Sequence, residues 1–156
     1  MRQSNDNKPV PSVIAEVQVT YVPSVRPEKL PVTTDSDESA RLAMLGWPDV
    51  DHVESIKLML LNNSNGVMGI KTVFVGGING SVADIKVILS IALCGHAVSI
   101  ILLHNHPSGK LRPSSADIEM TMKLKQACKC MDLAFLDHII VNGSNDHYSF
   151  ANEGLM

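Results

Sequence analysis

The stretch His104-Asn105-His106-Pro107-Ser108-Gly109, followed by Pro113-Ser114-Ser115-Ala116-Asp117, holds the residues whose types and spacing could do chemistry. Two histidines at i and i+2 point to the same side of an extended chain, so both imidazoles can converge on one metal ion. Asp117 follows His106 by eleven residues, in the first turn of the next expected helix. The intervening Pro-Ser-Gly loop lets the chain fold back and deliver that carboxylate. Two imidazoles and a carboxylate suit Zn²⁺, and three protein ligands leave a fourth position for water, the pattern of a catalytic rather than a closed structural site. Water activated in this way needs a base. Glu54 stands at the start of an apolar strand, 56–61, where an edge carboxylate could meet the end of the strand that carries the histidines.

Each of these residues also has a plainer role open to it. Asp117 has the position of a helix-capping carboxylate paired with Ser114 as N-cap, a role compatible with ligation. The Ser114 hydroxyl either caps that helix or contacts a developing oxyanion. Glu54 could be a solvated strand-edge charge, and Ser108 and Gly109 shape the turn. His96 reads as a turn residue, His138 as a core residue or one packed behind the site, and His52 and His147 join no constellation. The three cysteines, Cys94, Cys128 and Cys130, are an odd number and form no disulfide framework. Cys128 and Cys130 point to different faces of a helix, which is poor metal spacing.

The elements that must position these groups are legible from pattern. Val98 to Leu103 is an all-apolar run suited to a central strand covered on both faces. Residues 53–62 and Val67 to Val75 read as two strands joined by a hairpin at Asn63-Ser64-Asn65-Gly66. A helix is expected from near Asp35, with Glu38 at capping-box spacing, to Gly46. Val82 to Leu93 reads as a buried helix ended by Gly95, and 114–131 as a helix whose early Asp117 and Glu119 and later lysines complement its dipole. Phe135 to Val141 and His147 to Phe150 are further strands around a turn at 142–145. Residues 1–12 are expected to form a polar tail, and alternation from Val13 to Tyr21 predicts one more strand, followed by a proline-rich connector. Together these predict a single α/β domain over 13–156, a mixed β-sheet flanked by helices.

Composition narrows the function. The chain has 156 residues, 45% of them apolar, which excludes a wholly disordered protein. A net charge of −3 and 4% aromatic content argue against a nucleic-acid partner, and no polybasic cluster suggests a membrane surface. The apolar window 85–103 is interrupted by Lys86, Gly95 and His96, so it reads as helix, turn and strand rather than a membrane span. The polar N-terminal stretch has no apolar signal-peptide core, and a reducing cytoplasm is the expected compartment. Oligomeric state is not legible.

Glu54, His104-x-His106 and Ser114-x-x-Asp117 resemble the JAMM signature of the JAB/MPN metalloprotease fold. The form His-Asn-His-Pro-Ser-Gly, with Pro-Ser-x-x-Asp, Leu136-Asp137-His138 and the Ser149-Phe150-Ala151-Asn152-Glu153-Gly154-Leu155 ending, resembles the RadC-like branch. The resemblance implies a cytidine-deaminase-like fold and Zn²⁺ held by His104, His106 and Asp117. It also implies Glu54 as general base and Ser114 as the residue stabilising the oxyanion. The implied reaction is hydrolysis of a peptide or isopeptide bond. RadC-like proteins often carry a helix-hairpin-helix segment that this sequence does not show, so a DNA-repair role is not expected to follow. A non-catalytic zinc-containing binding module and a nucleic-acid-processing enzyme stand as the alternatives.

Overall fold

The computed structural model describes residues 20–76 and 83–156. The expected tail and most of the expected strand at 13–21 lie outside these residues; Thr20 and Tyr21, which lie inside, belong to no strand. The helices are α1 (Ser36–Met44), α2 (Ile85–Cys94) and α3 (Ser115–Cys130). The strands are β1 (Ser55–Leu61), β2 (Val67–Val75), β3 (Ser99–Asn105), β4 (Ala134–Val141) and β5 (His147–Ser149). They form one sheet in the order β2-β1-β3-β4-β5. β3 and β4 are parallel, joined through α3, and the other neighbours are antiparallel, so the sheet is mixed, as the sequence pattern predicts.

β3 sits at the centre and is buried along its whole length. Its alternate residues serve two cores, as the pleat requires. Ile101 and Leu103 join Met59, Leu61, Ile139 and Val141 under α1 and Trp47. Ile100 and Leu102 join Leu58, Leu60, Ile88 and Leu124 under α2 and α3. An apolar run without alternation is therefore the correct signature of this strand. β3 runs two residues beyond the expected Leu103, so His104 and Asn105 lie on the strand itself and only His106 leaves it.

β1 is also buried throughout, although Lys57 lies within it. The Lys57 ammonium donates to the Gly46 carbonyl and lies 4.4 Å from the centroid of the Trp47 ring. Its charge is thereby met by a carbonyl and an indole face at the end of α1. Burial lowers its pKa from the ordinary lysine value.

Local chemistry explains the element ends. Asn65 takes the left-handed conformation at φ 56°, closing the β1–β2 hairpin, while the Asn62 side chain accepts from the Ser64 and Gly66 amides. α2 begins at Ile85, later than the pattern suggests, because the Asp84 side chain caps it by accepting from the Lys86 amide. Gly95 ends α2 with an ordinary negative φ. Glycine is favoured there by close approach, since a Cβ would lie 2.7 Å from Leu60 Cδ1 and 3.0 Å from the Ile91 carbonyl oxygen. Among the described residues no helix is long and apolar enough to cross a membrane, and the 85–103 window divides into α2, a turn and β3.

α1 starts at Asp35, whose carboxylate accepts from the Glu38 amide at 2.8 Å. The Glu38 carboxylate binds the Arg41 guanidinium instead of returning to Asp35, so one half of the reciprocal box forms. Asp35→Ala is expected to destabilise the fold by about 1 kcal/mol, with Asp35→Asn close to the wild type, read from urea unfolding midpoints.

Candidate metal centre

The end of β3 sends neighbouring side chains to opposite faces of the sheet. His104 turns toward α3, and Asn105 toward α1. His106, just past the strand, returns to the side of His104, and the two rings meet edge to face with centroids 4.7 Å apart. The i, i+2 spacing thus brings both imidazoles together.

Asp117 reaches them from the first turn of α3. Its Oδ1 lies 3.1 Å from His104 Nδ1, and its Oδ2 lies 3.6 Å from His106 Nε2. Ser114 caps the helix in a full capping box: its hydroxyl accepts from the Asp117 amide, and its own amide donates to Asp117 Oδ2 at 2.7 Å. The Ser114 hydroxyl also lies 2.7 Å from Asp117 Oδ2, to which it donates. The cap therefore locks the carboxylate with one oxygen turned to Ser114 and the other to His104.

Glu54 stands immediately before β1. Because β1 pairs with β3 with Ile56 opposite His104, this places the glutamate over the histidine end of the central strand. Glu54 Oε1 lies 2.8 Å from His104 Nε2. Glu54, His104 and His106 form a group whose ligand atoms all lie within 4.8 Å of one another, close enough to hold a metal ion. Burial differs sharply across the site. The His104, Asp117 and His106 side chains are 3%, 7% and 15% exposed, whereas Glu54 is 55% exposed. One solvent-facing carboxylate thus overhangs a buried His104–Asp117 pair and a partly buried His106.

The donor atoms of the two imidazoles fit a metal, and the group close enough to share one ion joins them with Glu54 rather than with Asp117. His106 Nδ1 lies 2.6 Å from the Lys110 carbonyl, which can only accept, so Nδ1 carries a proton and, in the neutral ring, Nε2 keeps its lone pair. Metal-ligating histidines commonly donate their second N–H to a backbone carbonyl in this way. His104 Nδ1 is buried and makes no hydrogen bond among the described residues despite its 3.1 Å approach to Asp117. Two ligands about 2.0–2.1 Å from a tetrahedral Zn²⁺ lie roughly 3.3 Å apart, so the spacing suits two atoms sharing an ion.

The electrostatics agree with that picture. Burial would raise the Asp117 carboxyl, but His104, His106 and Ser114 outweigh it and hold the group far below the usual carboxylate range. Asp117 raises the His106 imidazole above its ordinary value, burial opposes the shift, and the Lys110 carbonyl adds to it. A metal ion would replace the protons that these contacts otherwise favour.

The remaining candidates separate. His138 is fully buried, and burial, aided by His104, pushes its imidazole down to about 3, so it stays neutral. Its neighbour Asp137 binds the Ser149 hydroxyl and the Ala151 amide, and burial raises its pKa. His96 occupies a turn at φ 54°. His147 lies 3.1 Å from Ser36 Oγ, away from the centre. The cysteines are free, and burial pushes the Cys128 thiol up to about 11.

Asn105 is the site residue that sequence reasoning missed. It is fully buried, and its side-chain oxygen accepts from the Ser55 amide at 2.7 Å and the Ser55 hydroxyl at 3.1 Å. Its amide nitrogen donates to the Val50 and Val53 carbonyls at 2.6 and 2.9 Å. Those bonds grip the backbone on both sides of Glu54. The only signal available was a polar residue between two histidines at a strand end, where the pleat sends it to the opposite face.

A family profile for the RadC-like JAB domain matches residues 33–155. Among curated proteins, the chain is 43% identical over 100 residues to a UPF0758 protein of Streptococcus suis, covering 64% of this chain and 40% of that protein. It is 40% identical over 102 residues to a UPF0758 protein of Flavobacterium johnsoniae, covering 65% and 44%. With a UPF0758 protein of Streptococcus gordonii the figures are 42% over 117 residues, covering 74% and 51%. The chain spans about half the length, or less, of these relatives.

Asn105→Ala would leave the Val50 and Val53 carbonyls and the Ser55 amide buried without their partner. Its cost is expected to be on the order of 3 kcal/mol, measured by urea unfolding. Asn105→Asp, nearly the same shape, turns two donors into acceptors facing carbonyls and is expected to cost at least as much.

Proposed function

The chain belongs to the RadC-like JAB domain family, and from that premise we propose that it is a zinc-dependent hydrolase of peptide-like bonds, with a peptide or isopeptide as substrate. The observation that carries the reading is the division of the site into a buried His104–Asp117 pair with a partly buried His106 and an exposed Glu54 above them. His104, His106 and Asp117 would hold the ion. When bound, zinc supplies Lewis acidity: it makes water acidic enough to attack near neutral pH and polarises a carbonyl oxygen.

The chain's own residues do the rest. Glu54 takes the proton of the attacking water and returns it to the leaving amine, a task that suits a carboxylate open to solvent and substrate rather than one locked in a cap. Asp117, restrained by Ser114, keeps its charge and holds its place opposite His104. The Ser114 hydroxyl contacts a developing oxyanion by giving up its bond to Asp117 Oδ2, leaving the Ser114 amide to hold that oxygen. Asn105 keeps the Glu54 backbone fixed against the end of β3.

Glu54 stands close enough to His104 and His106 to act as a ligand itself, so metal content separates the two roles. Elemental analysis of the full chain is expected to give near one zinc per chain, lost in His106→Ala and Asp117→Asn but retained in Glu54→Gln. On quenched fluorescent peptides and isopeptide-linked lysine substrates, Glu54→Gln is expected to lose at least about 10²-fold in kcat. Loss of zinc from Glu54→Gln would make Glu54 a ligand. Unchanged turnover would remove it from proton transfer.

A further inference from the structure

We propose that Thr121 and His138 are positioning residues of the metal centre, fixing the plane of the His104 ring and the seat of Asp117, so that zinc affinity depends on them. The inference rests on the reading of His104, His106 and Asp117 as zinc ligands.

Thr121 lies one turn after Asp117 in α3 and is fully buried. Its hydroxyl donates to the Asp117 carbonyl at 2.6 Å. A hydroxyl has one hydrogen, so His138 Nδ1, 2.7 Å from the same oxygen, must be the donor of that second bond. His138 therefore carries its proton on Nδ1, and its buried Nε2 has no hydrogen-bond partner among the described residues.

The ring so fixed lies behind a ligand. His138 pairs with Leu102 across the parallel β3–β4 ladder, which puts it on the same face as His104, two residues along β3. The His138 and His104 rings are within 9° of parallel, with centroids 6.1 Å apart. Phe150, fully buried, stacks on His138 at 4.6 Å and 14°. The contacts close a circuit: His104 to His138, His138 to Thr121, Thr121 to Asp117, and Asp117 back to His104 Nδ1. Two of the three expected ligands are thereby tied to each other through β4 and α3 as well as directly.

Helix stability does not explain the hydroxyl. A threonine bonding back to the carbonyl four residues earlier is neutral to slightly unfavourable for a helix, and valine would fill the same space. The hydroxyl earns its place by joining α3 to His138. Groups that orient metal ligands in this way typically change metal affinity by 10–100-fold when removed.

The test uses the full chain and zinc alone, with affinity measured by competition against a chromophoric chelator. Thr121→Val keeps the shape and deletes both bonds, and Thr121→Ser keeps the hydroxyl. Leu124→Val, in the same buried face of α3 but outside the circuit, controls for general loss of stability. Thr121→Val is expected to weaken zinc binding about 10–100-fold and to change the visible spectrum of the Co²⁺-substituted protein, with Thr121→Ser within about three-fold of the wild type. Leu124→Val is expected to lower the melting temperature and leave zinc affinity unchanged.

Equal affinities for Thr121→Val and the wild type would overturn the inference, as would an equal loss in Leu124→Val. Absence of zinc binding by the wild type would overturn the metal centre, and this inference with it. Should Thr121→Val not fold, the imidazole ¹⁵N spectrum of the wild type decides. A protonated Nδ1 and bare Nε2 on His138 support the circuit, and the opposite tautomer overturns it.

Discussion

The site depends on the pleat at the end of β3, which forces adjacent polar side chains onto opposite faces of a buried sheet. His104 and Asn105 are both within the strand and almost wholly inaccessible, so each must find partners on its own side. His104 finds Asp117, Glu54 and the His138 ring. Asn105 finds the backbone from Val50 to Ser55. The two solutions are linked, because the backbone held by Asn105 carries the glutamate that reaches round to His104 Nε2. A side chain buried on the α1 face thus sets the position of a group that reaches the α3 face.

Burial sets the terms for the charges. A carboxylate as enclosed as Asp117 would ordinarily favour its neutral form, and it is kept ionised by two imidazoles, a hydroxyl and an amide. Such a group is costly to leave unmatched, and an arrangement of this kind is hard to justify by stability alone, since a buried ionic cluster is weak evidence for stabilisation. The capping box gives Asp117 one partner at no cost to the fold, because the Ser114 and Asp117 amides are helix-terminal donors in need of acceptors. One oxygen is satisfied by local helix chemistry, and the other is left facing His104 for a tertiary purpose.

Much of this was legible from the sequence because it was local. The Asn65-Gly66 hairpin, the Asp35 and Ser114 caps and the unbroken apolar run of β3 each depend on neighbours within a few residues. The i, i+2 histidines needed only the geometry of an extended chain. What stayed illegible needed tertiary pairing. Asn105 has its partners fifty residues earlier, which no local pattern shows. Lys57 is accommodated in an apolar strand only because Trp47 and the Gly46 carbonyl close over it. Thr121 carried no signal, because a threonine inside a helix reads as a poor helix former, and His138 was open to two readings, a core residue or one packed behind the site. The start of α2 was misjudged because Asp84 competes for the chain end more strongly than the apolar pattern beyond it suggests.

The contrast between the two carboxylates follows from where the chain delivers them. Asp117 arrives on the first turn of a helix, where the cap fixes its rotamer and packing removes water. Glu54 arrives on the last residue before a strand, where the backbone is held but the side chain projects into solvent. A ligand needs the first environment, since its position sets metal geometry. A group that exchanges protons with water suits the second. The two acids stand on either side of His104 and touch different ring nitrogens. The same imidazole therefore divides the site into an enclosed side fixed by a helix cap and an open side carried by a strand end, and that division follows from strand order and helix capping together.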